Sequence, residues 1–493
     1  MKKKIPEDRD SLSGWVAYAA ERLREYERHK AGKPVTSPPP TAEALPELFS
    51  GFDFRTPLGL EQVVDVSMAT MTRWGVRSTS SSYFGWLNAT PTVPSVVADL
   101  LVSALNPQLA VWAKSPGPIE VERYLVDILG KSFGLPNSRG GGFTTGGSEA
   151  NLTACLLALN QTFPGLAENG LPGSGRVVVY VSEEGHKSLE KVAASIGIGR
   201  KAICRIPIDP GLRIDLRGLR ERIRSDRASG GRPLMVVGLA GSTNAGVIDP
   251  LDGLADLCAS EDVWFHVDAA WGGAIVFSDR FKTHLAGIER ADSITFDPHK
   301  WVSVPLGTCM ILVHDRRLLK EAFQIVAPYV SPAADDPYLQ SIQWSRRFIG
   351  LRLLMTLLSE SWHGIADRVE RQILLGDRLR ELLTGQGWTI INQTPLPTVC
   401  FMDGRFPDPG QSASFHAALA DAVNGRGRVR IAGTWVGGVT ALRVCICSRE
   451  TSPVDLAKLM DELEWAREKL GSSWPGVAPR RDERTVAPSG GAE

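Results

Sequence analysis

An aspartate and a lysine, about thirty residues apart, each sit at the end of an apolar stretch. The first stretch is Trp264-Phe265-His266-Val267-Asp268-Ala269-Ala270-Trp271-Gly272-Gly273. The second is Ser293-Ile294-Thr295-Phe296-Asp297-Pro298-His299-Lys300-Trp301. A lysine amine can form a Schiff base with an aldehyde cofactor. A buried carboxylate can keep a pyridine nitrogen protonated, which makes the ring an electron sink. Alone, Lys300 reads as a surface residue. A pyridoxal phosphate (PLP) site needs further parts, and the chain carries them in order.

Phe143-Thr144-Thr145-Gly146-Gly147-Ser148-Glu149 is a glycine-serine turn that runs into helical spacing (Leu152, Cys155, Leu156, Leu159). Glycine lets the backbone approach an anion, and the helix start offers N–H donors and a positive dipole end. Val177–Val181 reads as a buried strand that leads to His186, and a histidine past a strand end can stack on a flat ring. Leu234–Leu239 reads as another strand, ending near Ser242, Thr243 and Asn244. Open α/β sheets bind ligands at the carboxyl ends of their strands. Each segment alone has an ordinary turn or cap reading. Their joint occurrence at four strand ends points to a cofactor site.

These motifs resemble the PLP-dependent group II amino-acid decarboxylases, which act on aromatic amino acids, histidine, glutamate and 2,4-diaminobutyrate. The resemblance runs from about Tyr83 to Arg449. It includes Tyr83-Phe84-Gly85-Trp86-Leu87-Asn88, Ser115-Pro116 with Glu120-Val121-Glu122, and Leu442-Arg443-Val444-Cys445. It implies a PLP-dependent transferase fold of type I: α/β, a mostly parallel seven-stranded sheet flanked by helices, an N-terminal helical segment and a small C-terminal α+β domain. It also implies a homodimer with active sites at the subunit interface.

Carried over residue by residue, the resemblance implies Lys300 as the Schiff-base lysine and Asp268 as the partner of the ring nitrogen. Ala270 would lie on one ring face. His186 would stack on the other and reach the substrate carboxylate. Gly146, Gly147, Ser148, Ser293 and His299 would hold the phosphate. Thr243 would sit beside the ring, and Asp249 would orient neighbours from behind. Tyr338 would return a proton from a mobile loop, with Tyr329 as a weaker candidate. Trp86, Leu87, Asn88 and Trp112 would line the substrate pocket, and Lys114 could offer a cation. Ala89 stands where aromatic decarboxylases tend to carry a hydroxyl residue, which weakens an aromatic substrate.

The implied reaction is decarboxylation of an L-amino acid to an amine and CO2. A rival in the same fold decarboxylates and then oxidises, giving an aldehyde. Another PLP carbon–carbon lyase or an aminotransferase is a further alternative. A non-catalytic regulator on this fold usually lacks the lysine or the aspartate, and this chain keeps both.

Composition sets the frame. The 493 residues balance 55 basic against 55 acidic side chains, which argues against nucleic acid or anionic membranes as main partners. Hydrophobic content is 43% with 13 tryptophans, enough for a large core. No apolar run is long enough to span a membrane, and no apolar signal core follows Met1-Lys2-Lys3-Lys4, so a cytoplasmic protein is expected. Seven scattered cysteines show no metal-ligand spacing and read as reduced core residues. The expected organisation is a helical segment over 1–95, a PLP-binding domain over 96–370, a small domain over 371–470 and a disordered tail over 471–493. Within the first segment, helical spacing covers 11–30, and Pro34–Pro40 reads as a stiff linker.

Overall fold

Apolar runs that alternate with amphipathic helices must bury both faces of a sheet, and a parallel sheet with helices on each side does this. The computed structural model describes residues 11–173, 175–325, 335–405 and 409–471. Its central sheet has seven strands: β1 (Gly140–Thr144), β2 (Val177–Ser182), β3 (Ile203–Ile206), β4 (Arg232–Leu239), β5 (Trp264–Asp268), β6 (Ser293–Phe296) and β7 (Cys309–Val313). Their spatial order is β1-β7-β6-β5-β4-β2-β3. Only β7 runs against the others. Every residue of β2, β6 and β7 is buried, which explains their continuous apolar character.

The N-terminal part contains α1 (Leu12–His29), α2 (Leu60–Thr72) and α3 (Val93–Leu105). Ser11 caps α1 by accepting from the Gly14 N–H at 3.1 Å. The Pro34–Pro40 stretch does more than link. Thr36 and Ser37 pair with Gly75 and Val76, and Val35 is buried and donates its N–H to the Gly427 carbonyl. Two helices then flank edge strand β1: α4 (Pro116–Ser132), and α5 (Gly147–Thr162), which follows β1 directly. Helix α6 (Leu351–Gly385) carries a left-handed break at Ser361, with φ of 62°.

A second sheet is antiparallel. It consists of β8 (Trp388–Ile390), β9 (Thr398–Asp403), β10 (Ala432–Val436) and β11 (Val439–Cys445), in the order β8-β9-β11-β10. Strand β10 has no counterpart in the sequence reading, because only Val436 of this edge strand is buried. Helix α7 (Pro453–Gly471) ends the described chain, so residues 472–493, expected as a tail, lie outside it. The seven cysteines are buried and form no disulfide. Among the described residues no helix is long and apolar enough to cross a membrane.

Asp403, fully buried at the end of β9, accepts from Arg467 Nε and Nη2 at 2.8 Å each and is also paired with Arg405. Burial opposes its charge, but the two guanidinium groups hold its acidity well below the usual carboxylate range. Its folded-state value is depressed, so its contribution is present above the unfolded carboxylate value and is lost as pH falls below about 4. Asp403→Asn should cost about 3–5 kcal/mol at neutral pH, because it leaves buried cations uncompensated. Denaturant titrations should also show a flatter loss of stability in acid for the variant.

Candidate active site

The parallel strands place their carboxyl ends on one edge of the sheet, and the chemistry collects there. A cavity of about 200 Å³ is lined by residues that include Gly147, Ser148, Asn151, His186, Thr243, Asp268, Ala270, Asp297 and Lys300. Larger spaces exist. One of about 970 Å³ lies at the opposite strand ends, beside Arg232, Asp292 and His314. Another, of about 260 Å³, follows edge strand β1. Neither is lined by a lysine, so chemistry rather than size selects the first.

Lys300 follows β6 on a tight turn, its side chain 23% exposed, with Nζ 3.0 Å from Asp297 Oδ2. Burial works against its charge, but Asp297 and Asp268 more than offset this and hold the ammonium above its ordinary range. The turn is pinned from behind. Trp301 is fully buried and stacks on Trp271 at 4.7 Å, and its indole N–H donates to Gln372 on α6 at 2.7 Å. Arg368 on α6 donates to the Val302 carbonyl at 3.0 Å.

Asp268 ends β5. Asn151, on α5, donates to its Oδ2 at 3.2 Å. The Asn151 carbonyl oxygen meets His266 Nε2 at 3.1 Å and accepts from the Thr295 hydroxyl at 2.6 Å. His266 Nδ1 lies 2.8 Å from Ser293 Oγ, which accepts from the Trp264 indole at 2.9 Å. The donors run head to tail from Trp264 through Ser293, His266 and Asn151 to Asp268. Such a polarised chain favours a charged carboxylate at its end. Burial pushes His266 down to about 4, so its ring is neutral at pH 7 and can accept at one nitrogen while donating at the other.

His186 follows β2. The Ser188 N–H donates to its Nδ1 at 3.2 Å, so in the neutral ring the proton sits on Nε2. Burial lowers its pKa, opposed mainly by Asp268, which keeps the ring neutral at pH 7.

Gly146, Gly147 and Ser148 begin the 16-residue helix α5, whose first N–H groups have no intrahelical acceptor. A Cβ on Gly147 would stand 3.2 Å from Asp297 Oδ2. Glycine therefore leaves room for the backbone to cradle a small anion. A donor-rich cradle, a lysine and a braced carboxylate around one cavity fit PLP.

Several expectations change. Ser293 does not reach the phosphate cradle. It begins β6, at the opposite end of the strand from Lys300, and its hydroxyl is engaged by His266 and Trp264. Tyr338 is not on a mobile loop. It is 3% exposed, sits in the short helix Pro337–Leu339, packs on Trp344 at 4.7 Å and does not line the cavity. Tyr329 lies outside the described residues. None of Trp86, Leu87, Asn88 and Trp112 lines the cavity within one chain. Trp86 is 68% exposed. Trp112 lies beside the Tyr338 segment, accepting no part of the cavity and donating its backbone N–H to Asp336 at 2.6 Å. Lys114 is exposed.

Asp249 does orient neighbours, through backbone. It accepts from the Ile214 and Leu239 N–H groups at 2.8 and 2.9 Å, which fixes the end of β4 before Thr243. Arg443, on β11, donates to the Thr243 carbonyl at 2.9 Å and the Gly85 carbonyl at 3.0 Å. The Tyr83–Trp86 segment is thereby tied to the cavity wall. Asn151, Asp297 and Arg443 were assigned no role from sequence. Asn151 falls four residues after Gly147, on the same helix face, and that spacing was the available signal.

Asn151→Leu should weaken PLP binding roughly tenfold, because Asp268 and His266 lose their shared partner at about 1–3 kcal/mol. Fluorescence titration with PLP checks this, and an unchanged Kd would show that Asn151 does not brace Asp268.

Comparison with known proteins agrees with the geometry. The family model for the pyridoxal-dependent decarboxylase conserved domain matches residues 57–403. The chain is 29% identical over 392 residues to the aromatic-L-amino-acid decarboxylase of Bacillus atrophaeus, covering 78% of this chain and 80% of the relative. It is 31% identical over 390 residues to the L-2,4-diaminobutyrate decarboxylase of Rhizobium meliloti (strain 1021), covering 78% and 77%. In fold it is similar to the crystal structure of Oryza sativa TDC with PLP and tryptamine, with a TM-score of 0.88, 22% identity and coverage of 94% and 98%. The chain belongs to the pyridoxal-dependent decarboxylases, and it is a PLP-dependent carboxy-lyase acting on an amino acid.

Proposed function

We propose that this enzyme converts an L-amino acid to the corresponding amine and CO2, with Lys300 as the cofactor lysine and Asp268 as the partner of the ring nitrogen. The observation that carries the reading is the convergence of Lys300, Asp268, His186 and the start of α5 on one cavity. When bound, PLP supplies the electron sink for breaking the bond between Cα and the carboxylate. The protein's own residues do the rest. Asp268, braced by Asn151, holds a proton on the ring nitrogen. Gly146, Gly147 and Ser148 bind the phosphate with backbone N–H groups, and His299 lies alongside. Ala270 would lie against one ring face, where a larger side chain would clash. His186 would cover the other and offer its Nε2–H to the substrate carboxylate, and Thr243 would sit beside the ring; all three line the cavity. Tyr329 is the remaining tyrosine for proton return at Cα.

The assembly we propose is a homodimer with its active sites at the interface. Helix α3 exposes Val93, Val96, Val97, Leu100, Leu101 and Leu105, each between 41% and 78%. Leu306, six residues beyond Lys300, is 72% exposed. A continuous apolar face of this kind marks an interaction surface. A second copy over it would bring Trp86 and Trp112 to a substrate pocket that one chain leaves open.

The test is incubation of the PLP-loaded protein with aromatic, acidic, branched and diamino acids, with products read by mass spectrometry. An amine one CO2 lighter than its parent is expected, and an aldehyde would establish the oxidative reaction instead. Lys300→Ala should abolish turnover and leave no lysine-linked cofactor for borohydride reduction to trap. Asp268→Ala should slow decarboxylation roughly 100- to 1000-fold, because the ring loses its fixed counter-charge.

A further inference from the structure

Asp297 stands in the cradle that the proposed function assigns to the cofactor phosphate. It is 3% exposed. Its Oδ2 lies 3.0 Å from Lys300 Nζ and 3.7 Å from His299 Nε2. Both its oxygens stand within 3.4 Å of where a Cβ on Gly147 would be. This carboxylate therefore occupies the mouth of an anion site, at the positive end of α5. A phosphate bound there meets a second anion at short range.

The neighbouring histidine sharpens the conflict. His299 Nδ1 lies 2.8 Å from the Thr308 carbonyl, which can only accept, so Nδ1 carries the proton. In the neutral ring Nε2 is then a bare lone pair, 3.7 Å from Asp297 Oδ2. A neutral His299 cannot donate to phosphate. Burial lowers its pKa, opposed first by Asp297, so the ring is neutral at pH 7.

The other charged or titratable groups nearby do not remove the conflict. Lys300 is paired with Asp297 itself. The Cys309 thiol on β7 is pushed up by burial and by Asp297 and stays uncharged. Arg352 on α6 approaches through Thr308 and is already paired with Asp99 of α3 at 2.7 Å. Asp268 and His186 face the ring side of the cavity.

We propose that Asp297 is a positioning residue of the cofactor site: it holds the Lys300 ammonium, and with His299 it retains one proton beside the bound phosphate. Loading the cofactor is thereby coupled to uptake of one proton from solvent. That proton is shared among Asp297, His299 Nε2 and the phosphate. This rests on the phosphate reading of Gly146–Ser148, and the experiment separates the two.

The probe is 4-deoxypyridoxine 5′-phosphate, which has the ring and phosphate but no aldehyde, so no bond to Lys300 forms. Its Kd is measured with the full-length chain stripped of PLP, between about pH 7 and pH 9, where the phosphate is already a dianion (second ionisation near 6). In wild type the Kd should rise about tenfold per pH unit, the slope for one proton bound with the ligand. In Asp297→Asn, where an amide can donate to the phosphate, the Kd should be flat to within about twofold over the same range. Calorimetry of the wild type in buffers of different ionisation enthalpy should give an uptake of about one proton near pH 8, independent of any variant. No uptake by wild type, or the wild-type slope in Asp297→Asn, overturns the inference. Equal affinity for 4-deoxypyridoxine with and without its phosphate overturns the cradle reading as well. A phosphate preference without pH dependence overturns only the role of Asp297.

Discussion

A carboxylate taken out of water must be compensated, or it takes up a proton and loses its charge. Asp268 imposes this constraint on the rest of the structure. It must stay ionised when a ring covers it, since only a charged partner keeps the ring cationic. Among the described residues no arginine or lysine forms an ion pair with it, and a cation there would cancel the charge the ring needs. A chain of neutral donors supplies the compensation instead. Trp264, Ser293, His266 and Asn151 pass polarisation toward Asp268 with no net charge of their own. The chain crosses from β5 and β6 to α5, so the site depends on the packing of that helix against those strands. This is why His266 is fully buried and held neutral.

The cavity is otherwise a balance of opposed groups at close range. Lys300 carries the mobile positive charge, and Asp297 and Asp268 hold it there. The start of α5 adds a fixed partial positive charge without a titrating group. Both facing histidines are kept neutral by burial, and in each a backbone group decides which nitrogen carries the proton: the Ser188 N–H for His186 and the Thr308 carbonyl for His299. Backbone contacts of this kind fix a protonation pattern more rigidly than flexible side chains do. Second-layer ties serve the same end. Asp249 clamps the end of β4, and Arg443 holds Gly85 against Thr243.

The strand-end residues were legible because an apolar run that stops at a polar residue marks the carboxyl edge of a parallel sheet. Lys300, Asp268, His186 and Thr243 all follow such runs. Ser293 was misread because it opens its strand instead of closing it. In a strand of four residues, rising about 3.3 Å each, that moves the hydroxyl roughly 10 Å from the cavity. Tyr338 was misread because proline and small residues suggest a lid, and nothing local shows that its ring packs under Trp344. Asp297 lay inside the most informative motif. Its closeness to Gly147 depends on how two separate strand ends meet, and no spacing along the chain encodes that. The helix over 11–30 followed from periodicity and the mostly parallel sheet from the family resemblance, whereas the edge strand β10 buries too little to declare itself.

The substrate side follows a different logic from the cofactor side. Cofactor contacts come from elements that one sheet brings together, so one chain builds them. The aromatic residues expected around the substrate stay at the surface, on the same molecule that exposes the apolar face of α3. An exposed tryptophan costs little singly, but a run of valine and leucine on one helix face carries a price in water that a second surface removes. If the same contact both covers α3 and seats Trp86, then specificity and assembly share one interface. A change in the substrate-facing residues would then alter dimer stability, and the chemistry of Lys300 and Asp268 would be insulated from it by the depth of the sheet edge. Arg443 is a link between the two regions, since it ties the Trp86 segment to a residue of the cavity wall.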